Sequence, residues 1–215
     1  MTALLVLVAD RQMEGVIRAV LDRPEALGIV APAYRVIRHP EKDPGVLRRG
    51  PELVADSLAG ERDVLVLMDR DGSGAATESA REIERDLETR LGKRVPGGRR
   101  RAVVIEPELD VWMWATEAAM RTALEWTRPG GIRDWAAAHL GTDFDERGKP
   151  VRTDATTGPK EVLEGVLRAI GIPRSGSLYR QIAGTTSLKN CADPAFVRLR
   201  DTLRAWYGFD SGASA

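Results

Sequence analysis

Apolar residues fall into two rhythms along the first half of the chain. Leu4–Val8 is an unbroken apolar run, and Val64–Met68 and Ala102–Ile105 repeat the pattern. Runs of this length without alternation read as strands buried on both faces. The stretch YRVIR, 34–38, supplies a fourth strand. Between them the period lengthens. Met13, Val16, Ile17, Val20 and Leu21 recur at helical spacing, with Pro24 just past the end. PELVADSLAG, 51–60, predicts a short helix opened by Pro51 and stopped by Gly60. In 74–92, Ala76, Ala80, Ile83, Leu87 and Leu91 form one stripe, and Gly92 ends it. Strand and helix alternate, which predicts an α/β fold: a mostly parallel, doubly wound sheet flanked by helices.

From about Glu108 onward the strand rhythm stops. ELDVWMWATEAAMRTALEW is helical in propensity, with Trp112, Ala115, Met120 and Leu124 available for packing. GIRDWAAAHLG is a second helical stretch between glycines, and the polar segment 141–158 is a loop. PKEVLEGVLRAIG starts on proline and ends on glycine. DPAFVRLRDTLRAWYGF begins with Asp193 as a cap and Pro194 in the first turn, and the tail DSGASA frays. The expected organisation is an α/β domain over 1–107 and a helical elaboration over 108–215 packed on it.

Composition changes this picture little. The 215 residues are 43% apolar, enough for a core without covalent staples. The 32 basic and 32 acidic residues cancel, so any field that steers a ligand is local. A single cysteine, Cys191, excludes an intrachain disulfide framework and fits a reducing, cytoplasmic setting. The apolar start lacks a basic leader and a small-residue cleavage site, and no apolar stretch approaches the ~20 residues of a membrane span. No membrane partner is expected.

The chemistry concentrates at the predicted strand ends. VLVLMDRDGSG, 64–74, runs an apolar strand into Asp69 and Asp71. In open α/β sheets, reactive groups collect beyond the carboxyl ends of strands. Alternate positions of an extended segment share a face, so both carboxylates can enter one cleft. Their repulsion is relieved by Mg²⁺ or Mn²⁺, ions that prefer oxygen ligands. The competing reading is a capping turn, for which Asp and Gly are ordinary residues. Asp10 ends the first strand, and Glu14 follows one helical turn later. If strands one and three are neighbours, Asp10 faces the same cleft; otherwise it is a helix cap and Glu14 a solvated side chain. VVIEPELDVW adds Glu106 and Glu108 after the fourth strand, as cation ligands or as acids favoured by a helix dipole.

Several motifs fail. Glycine falls too early for a calcium loop, no GxxxxGK[ST] occurs, and GSGAAT lacks the third glycine of a dinucleotide fingerprint. His39, His139 and one cysteine do not make a zinc site. VLVLMDRDGS resembles the first motif of the haloacid-dehalogenase-like phosphatases, in which Asp69 would be nucleophile and Asp71 acid/base. The later GDxxxD-like segment is missing, and the motif sits in the third strand instead of the first.

A fuller resemblance is to the TOPRIM domain of topoisomerases, primases and OLD-family nucleases, which carries a glutamate at the end of the first strand and DxD after the third. More specifically, LVADRQMEG, LMDRDGSG, VIEPELDVWMWA, GPKEVLEGVL and DPAFVRLRDTLRAW resemble a TOPRIM-related family of bacterial anti-phage defence islands, over nearly the whole chain. The resemblance implies a defence component with protein partners, with a methylation-associated system as one such setting. It also implies a Mg²⁺ or Mn²⁺ site at Asp10, Asp69, Asp71, Glu106 and Glu108, and nuclease chemistry on nucleic acid with Asp10, Glu14 and Asp69 as catalytic candidates. The first-strand glutamate is replaced: Ala9 and Asp10 stand where Glu-Gly is expected, which bears more on catalysis than on metal binding.

Basic groups are local. GKRVPGGRRR, 92–101, is a candidate phosphate-backbone contact or a solubilising loop. His39 in RHPEKDPG lies near the expected cleft. Lys160, Arg180 and Lys189 are candidate contacts in the helical half, and Trp112 and Trp114 are core residues or a base-stacking platform.

Overall fold

The computed structural model describes residues 3–75, 77–154, 157–189 and 191–209. Ala76 and the tail 210–215 lie outside the described residues. Four strands, β1 (Leu4–Val8), β2 (Tyr34–Arg38), β3 (Asp63–Asp69) and β4 (Arg99–Ile105), form a parallel sheet in the order β2-β1-β3-β4. All five residues of β1 are buried, as are the first six of β3. That burial is why these strands carry no polar alternation.

The chain steps one way from β1 to β2, then back past β1 to β3 and on to β4. Crossovers between parallel strands are right-handed. The reversal therefore puts α1 (Arg11–Leu21) on one face, and α3 (Lys42–Ser57) and α4 (Ala80–Arg94) on the other. Consistently, α3 packs on α4, β1 and β3, whereas α1 packs on β2 and on α9 (Gly176–Thr185). The reversal point lies between β1 and β3, where open sheets of this kind bind their ligands.

Three expected boundaries move. The helix expected from Pro51 begins at Lys42 and carries Pro51 in its interior. A proline there lacks an N–H and repels the carbonyl four residues back. Arg90 of α4 compensates by donating to the carbonyls of Leu47 and Arg48. Next, α4 starts at Ala80, under a capping box made by Ser79 and Glu82, and runs through Gly92 to Arg94. Finally, β4 begins at Arg99, so three arginines expected in a turn are strand residues. Arg99 makes a forked pair with Asp63 and lies over Trp206 and Tyr207. Arg100 donates to the carbonyls of Val95 and Gly97, and Arg101 pairs with Glu88. This basic run is structural.

The second half is helical, as expected, through α5 (Asp110–Met113), α6 (Glu117–Ala123), α7 (Ile132–Leu140), α8 (Pro159–Ile170) and α10 (Pro194–Tyr207). The single helix implied by residues 108–126 breaks around Ala115–Thr116. A short α2 (Pro24–Leu27) and α9 are additions to the expected set. Ser175 caps α9, and Leu178, Tyr179, Ile182 and Ala183 form its buried face. The contact between α1 and α9 is close. A Cβ on Gly15 would lie 2.2 Å from the Gly176 carbonyl oxygen, and one on Gly176 would lie 2.5 Å from the Arg11 carbonyl oxygen. Only glycine admits backbones this near each other.

Asp193 does cap α10, accepting from the amides of Ala195 and Phe196. It also accepts from the Trp112 indole at 2.9 Å and from Lys149 at 2.6 Å. Buried residues from Leu4 to Leu203 form one continuous core, so α9 and α10 complete the packing of the sheet domain. Trp112 and Trp114 are in that core, at 3% and 0% exposure, which removes the base-stacking reading. Among the described residues, no helix is long and apolar enough to cross a membrane.

Candidate acidic site at the strand ends

The β1–β3 register pairs Leu7 with Val66. Carried three residues further, it sets Asp10 beside Asp69, so the expected neighbour relation of the first and third strands holds. Asp10 is also the N-cap of α1, accepting from the Met13 amide at 2.9 Å. The two roles are compatible, because a cap occupies one carboxylate oxygen.

Asp69, the last residue of β3, is tied from two sides. Its amide donates to Asp43 Oδ1 at 2.8 Å, and its own Oδ1 accepts from the Leu109 amide at 2.9 Å. Burial, followed by the charges of Asp43, Asp110, Asp10 and Glu108, pushes its carboxyl well above the ordinary range. Asp43, in the first turn of α3, behaves similarly. Burial raises its carboxyl to about 6 and the charge of Asp10 adds to the rise, while the hydrogen bond from Asp69 opposes it. Among the described residues, none of Asp10, Asp43 and Asp69 forms an ion pair.

Around this core the acids are neutralised. Glu108 is 7% exposed. Burial, then the charges of Asp110 and Glu161, raises it to about 7, against the opposing Lys160 amide and ammonium. Asp110, 1% exposed, pairs with Arg174 at 3.0 Å and accepts from the Tyr179 hydroxyl. Burial pushes the Asp110 carboxyl up, and Arg174 and Tyr179 oppose that rise. Arg152, between α7 and α8, lies 3.5 Å from Asp71, 3.4 Å from Glu108 and 3.5 Å from Glu161. Its positive charge is shared among these three carboxylates.

Of the expected set, the charges of Asp10 and Glu108 act on Asp69, and Asp71 meets Glu108 across the shared Arg152. The structure leaves out two. Glu14 is held by Arg18 and Arg38, both at 2.9 Å. Glu106 has a side chain 55% exposed and faces Arg70 at 3.4 Å. It adds Asp43, which the sequence does not mark, and Asp110, which follows Glu106 and Glu108 in the acidic stretch VVIEPELDVW. Asp43 lies in a segment that reads as a loop, and its signal is a carboxylate beside a proline at a helix start. Of the other watched positions, Arg180 pairs with Asp22, and Cys191 is buried, which pushes its thiol up.

An all-oxygen donor set of this kind suits a hard divalent cation. Its arrangement is open: among the described residues, no group of three or more His, Cys, Asp or Glu is arranged to hold a metal ion. No family model matches this chain, and no curated protein or solved structure does.

Proposed function

We propose that the strand-end carboxylates form a TOPRIM-like divalent-cation site serving phosphodiester chemistry, within a component of a bacterial anti-phage defence system. The observation that carries the reading is Asp69. It lies at the reversal point of the sheet, and its leading charged neighbours are four carboxylates. A charge cluster of this kind is normally relieved by protonation or by a cation. Asp10, Asp43, Asp69 and Asp71 are the residues that would hold Mg²⁺ or Mn²⁺, and closing around it requires their side chains to draw together. When bound, such an ion polarises a phosphoryl oxygen and makes attacking water more acidic. Glu108, half-titrated at about 7, is the group suited to take or give a proton near neutral pH. The haloacid-dehalogenase-like alternative is weaker, because the later GDxxxD-like segment is missing and the motif sits in the third strand.

Arg152 favours a second reading. A guanidinium seated on Asp71, Glu108 and Glu161 supplies the missing counter-charge internally, as expected of a non-catalytic interaction subunit. The deciding experiment is calorimetric titration of Mn²⁺ and Mg²⁺ into the wild type and into Asp69→Asn/Asp71→Asn, with a nuclease assay on the same samples. Binding and cleavage that are both lost in the variant support the metal-dependent nuclease. Binding without cleavage by the wild type supports a subunit that needs a partner. No binding by the wild type overturns the metal reading.

A further inference from the structure

A cleft of about 680 Å³ opens beside Asp10, at the carboxyl ends of β1 and β2. Its volume is in the range of small-molecule sites. Three cations line it, Arg11, Arg38 and Lys42, together with the carboxylates of Asp10 and Glu14. Arg38 is paired with Glu14, which it shares with Arg18. Among the described residues, Arg11 and Lys42 form no ion pair. Lys42 also has a φ of 52°, a left-handed backbone where glycine or asparagine sits with less strain. His39, 5% exposed, accepts the Glu41 amide on Nδ1 at 3.1 Å, and burial lowers its pKa. The neutral ring therefore carries its proton on Nε2 as a donor. Val36, Ile37 and Pro40 give the cleft an apolar part.

Three cations against two carboxylates leave this lining with a positive balance, and Glu14 is already held by Arg18 and Arg38. Two arginines and a lysine, two of the three without a carboxylate partner, suit an anion with several acceptor oxygens. We propose that this cleft binds a phosphate-bearing ligand, its anion meeting Arg11, Arg38 and Lys42 and its uncharged part packing on Val36, Ile37 and Pro40. The proposal rests on the phosphodiester reading only in setting that phosphate next to Asp10; binding itself needs no divalent ion.

The test is therefore run in chelator. Binding of a short fluorescently labelled single-stranded oligonucleotide is followed by anisotropy at several salt concentrations, and binding of adenosine monophosphate by calorimetry. The proteins are the wild type, Arg11→Gln/Lys42→Asn, and a control, Arg62→Gln/Lys93→Asn, that removes equal charge at the other end of the strands. Melting curves establish that all three are folded. We expect the cleft variant to lose at least about tenfold in affinity and, for the oligonucleotide, about 1.4 in the slope of log K against log salt, from two lost contacts. The control should match the wild type. An effect on the mononucleotide alone identifies a free phosphorylated metabolite, and an effect on the oligonucleotide alone identifies a strand phosphate. No binding of either probe by the wild type, or equal loss in the control, overturns the proposal. Because metal is absent, its failure is separate from a failure of the cation site.

Discussion

Replacing Asp43 with asparagine should stabilise the protein, and by an amount that depends on pH. The asparagine keeps an Oδ1 acceptor for the Asp69 amide, so the substitution removes the charge and retains the hydrogen bond. The carboxyl of Asp43 titrates at about 6 in the fold instead of 3.8. A raised folded-state pKa means that the stability present below 3.8 is lost as pH rises through about 6. The displacement corresponds to about 3 kcal/mol. Since Asp43 titrates together with Asp69, a fraction of that belongs to the pair, and a gain of about 1–3 kcal/mol is expected for the variant above pH 7. Near pH 4 the gain should fall to a small fraction of that. For a chain of this size the plateau corresponds to a rise of roughly 2–12 °C in melting temperature. The assay is thermal denaturation of both proteins in chelator at a series of pH values. A variant no more stable than the wild type at pH 8, or one stabilised equally at pH 4 and pH 8, refutes the electrostatic account of the cluster. Saturating Mn²⁺ should shrink the difference, because the ion relieves the same repulsion.

Two further outcomes follow from the same geometry. Arg152→Ala uncovers Asp71, Glu108 and Glu161; after solvent screening the lost competition is worth roughly 1 kcal/mol, so Mn²⁺ should bind about fivefold more tightly by calorimetry. Unchanged or weaker binding would mean that Arg152 does not compete for the cleft. Gly15→Ala sets a methyl against the Gly176 carbonyl and should cost about 1–3 kcal/mol in urea unfolding, with wild-type stability contradicting the close α1–α9 contact.

The sheet is legible because its strands are buried on both faces, and burial writes itself as unbroken runs such as Leu4–Val8. The strand-end acids Asp10 and Asp69 are legible for the same reason, since a carboxylate closing such a run stands out. What escapes depends on distant partners. Nothing near Pro51 reveals that Arg90 will satisfy the Leu47 carbonyl it orphans, so the sequence alone shows only the second part of α3. Likewise Arg99, Arg100 and Arg101 look like a free basic patch, because Asp63 and Glu88 are remote in sequence. Asp43 escapes for both reasons at once: its helix start is hidden, and its partner amide lies on a strand far along the chain. Helix α9 has its apolar spacing in plain view, but its glycines at 176 and 184 argue against it until α1 is there to pack on.

The glycine seam between α1 and α9 also has an evolutionary consequence. When two side chains collide, a change in one can be answered by a smaller neighbour. Here each added methyl would strike a carbonyl oxygen of the opposing backbone, which no substitution can shrink. Residues 15 and 176 therefore cannot rescue one another. Among descendants of this chain that keep the same helix pair, both should stay glycine without trading changes, and a lineage that loses one should show α9 displaced or rebuilt.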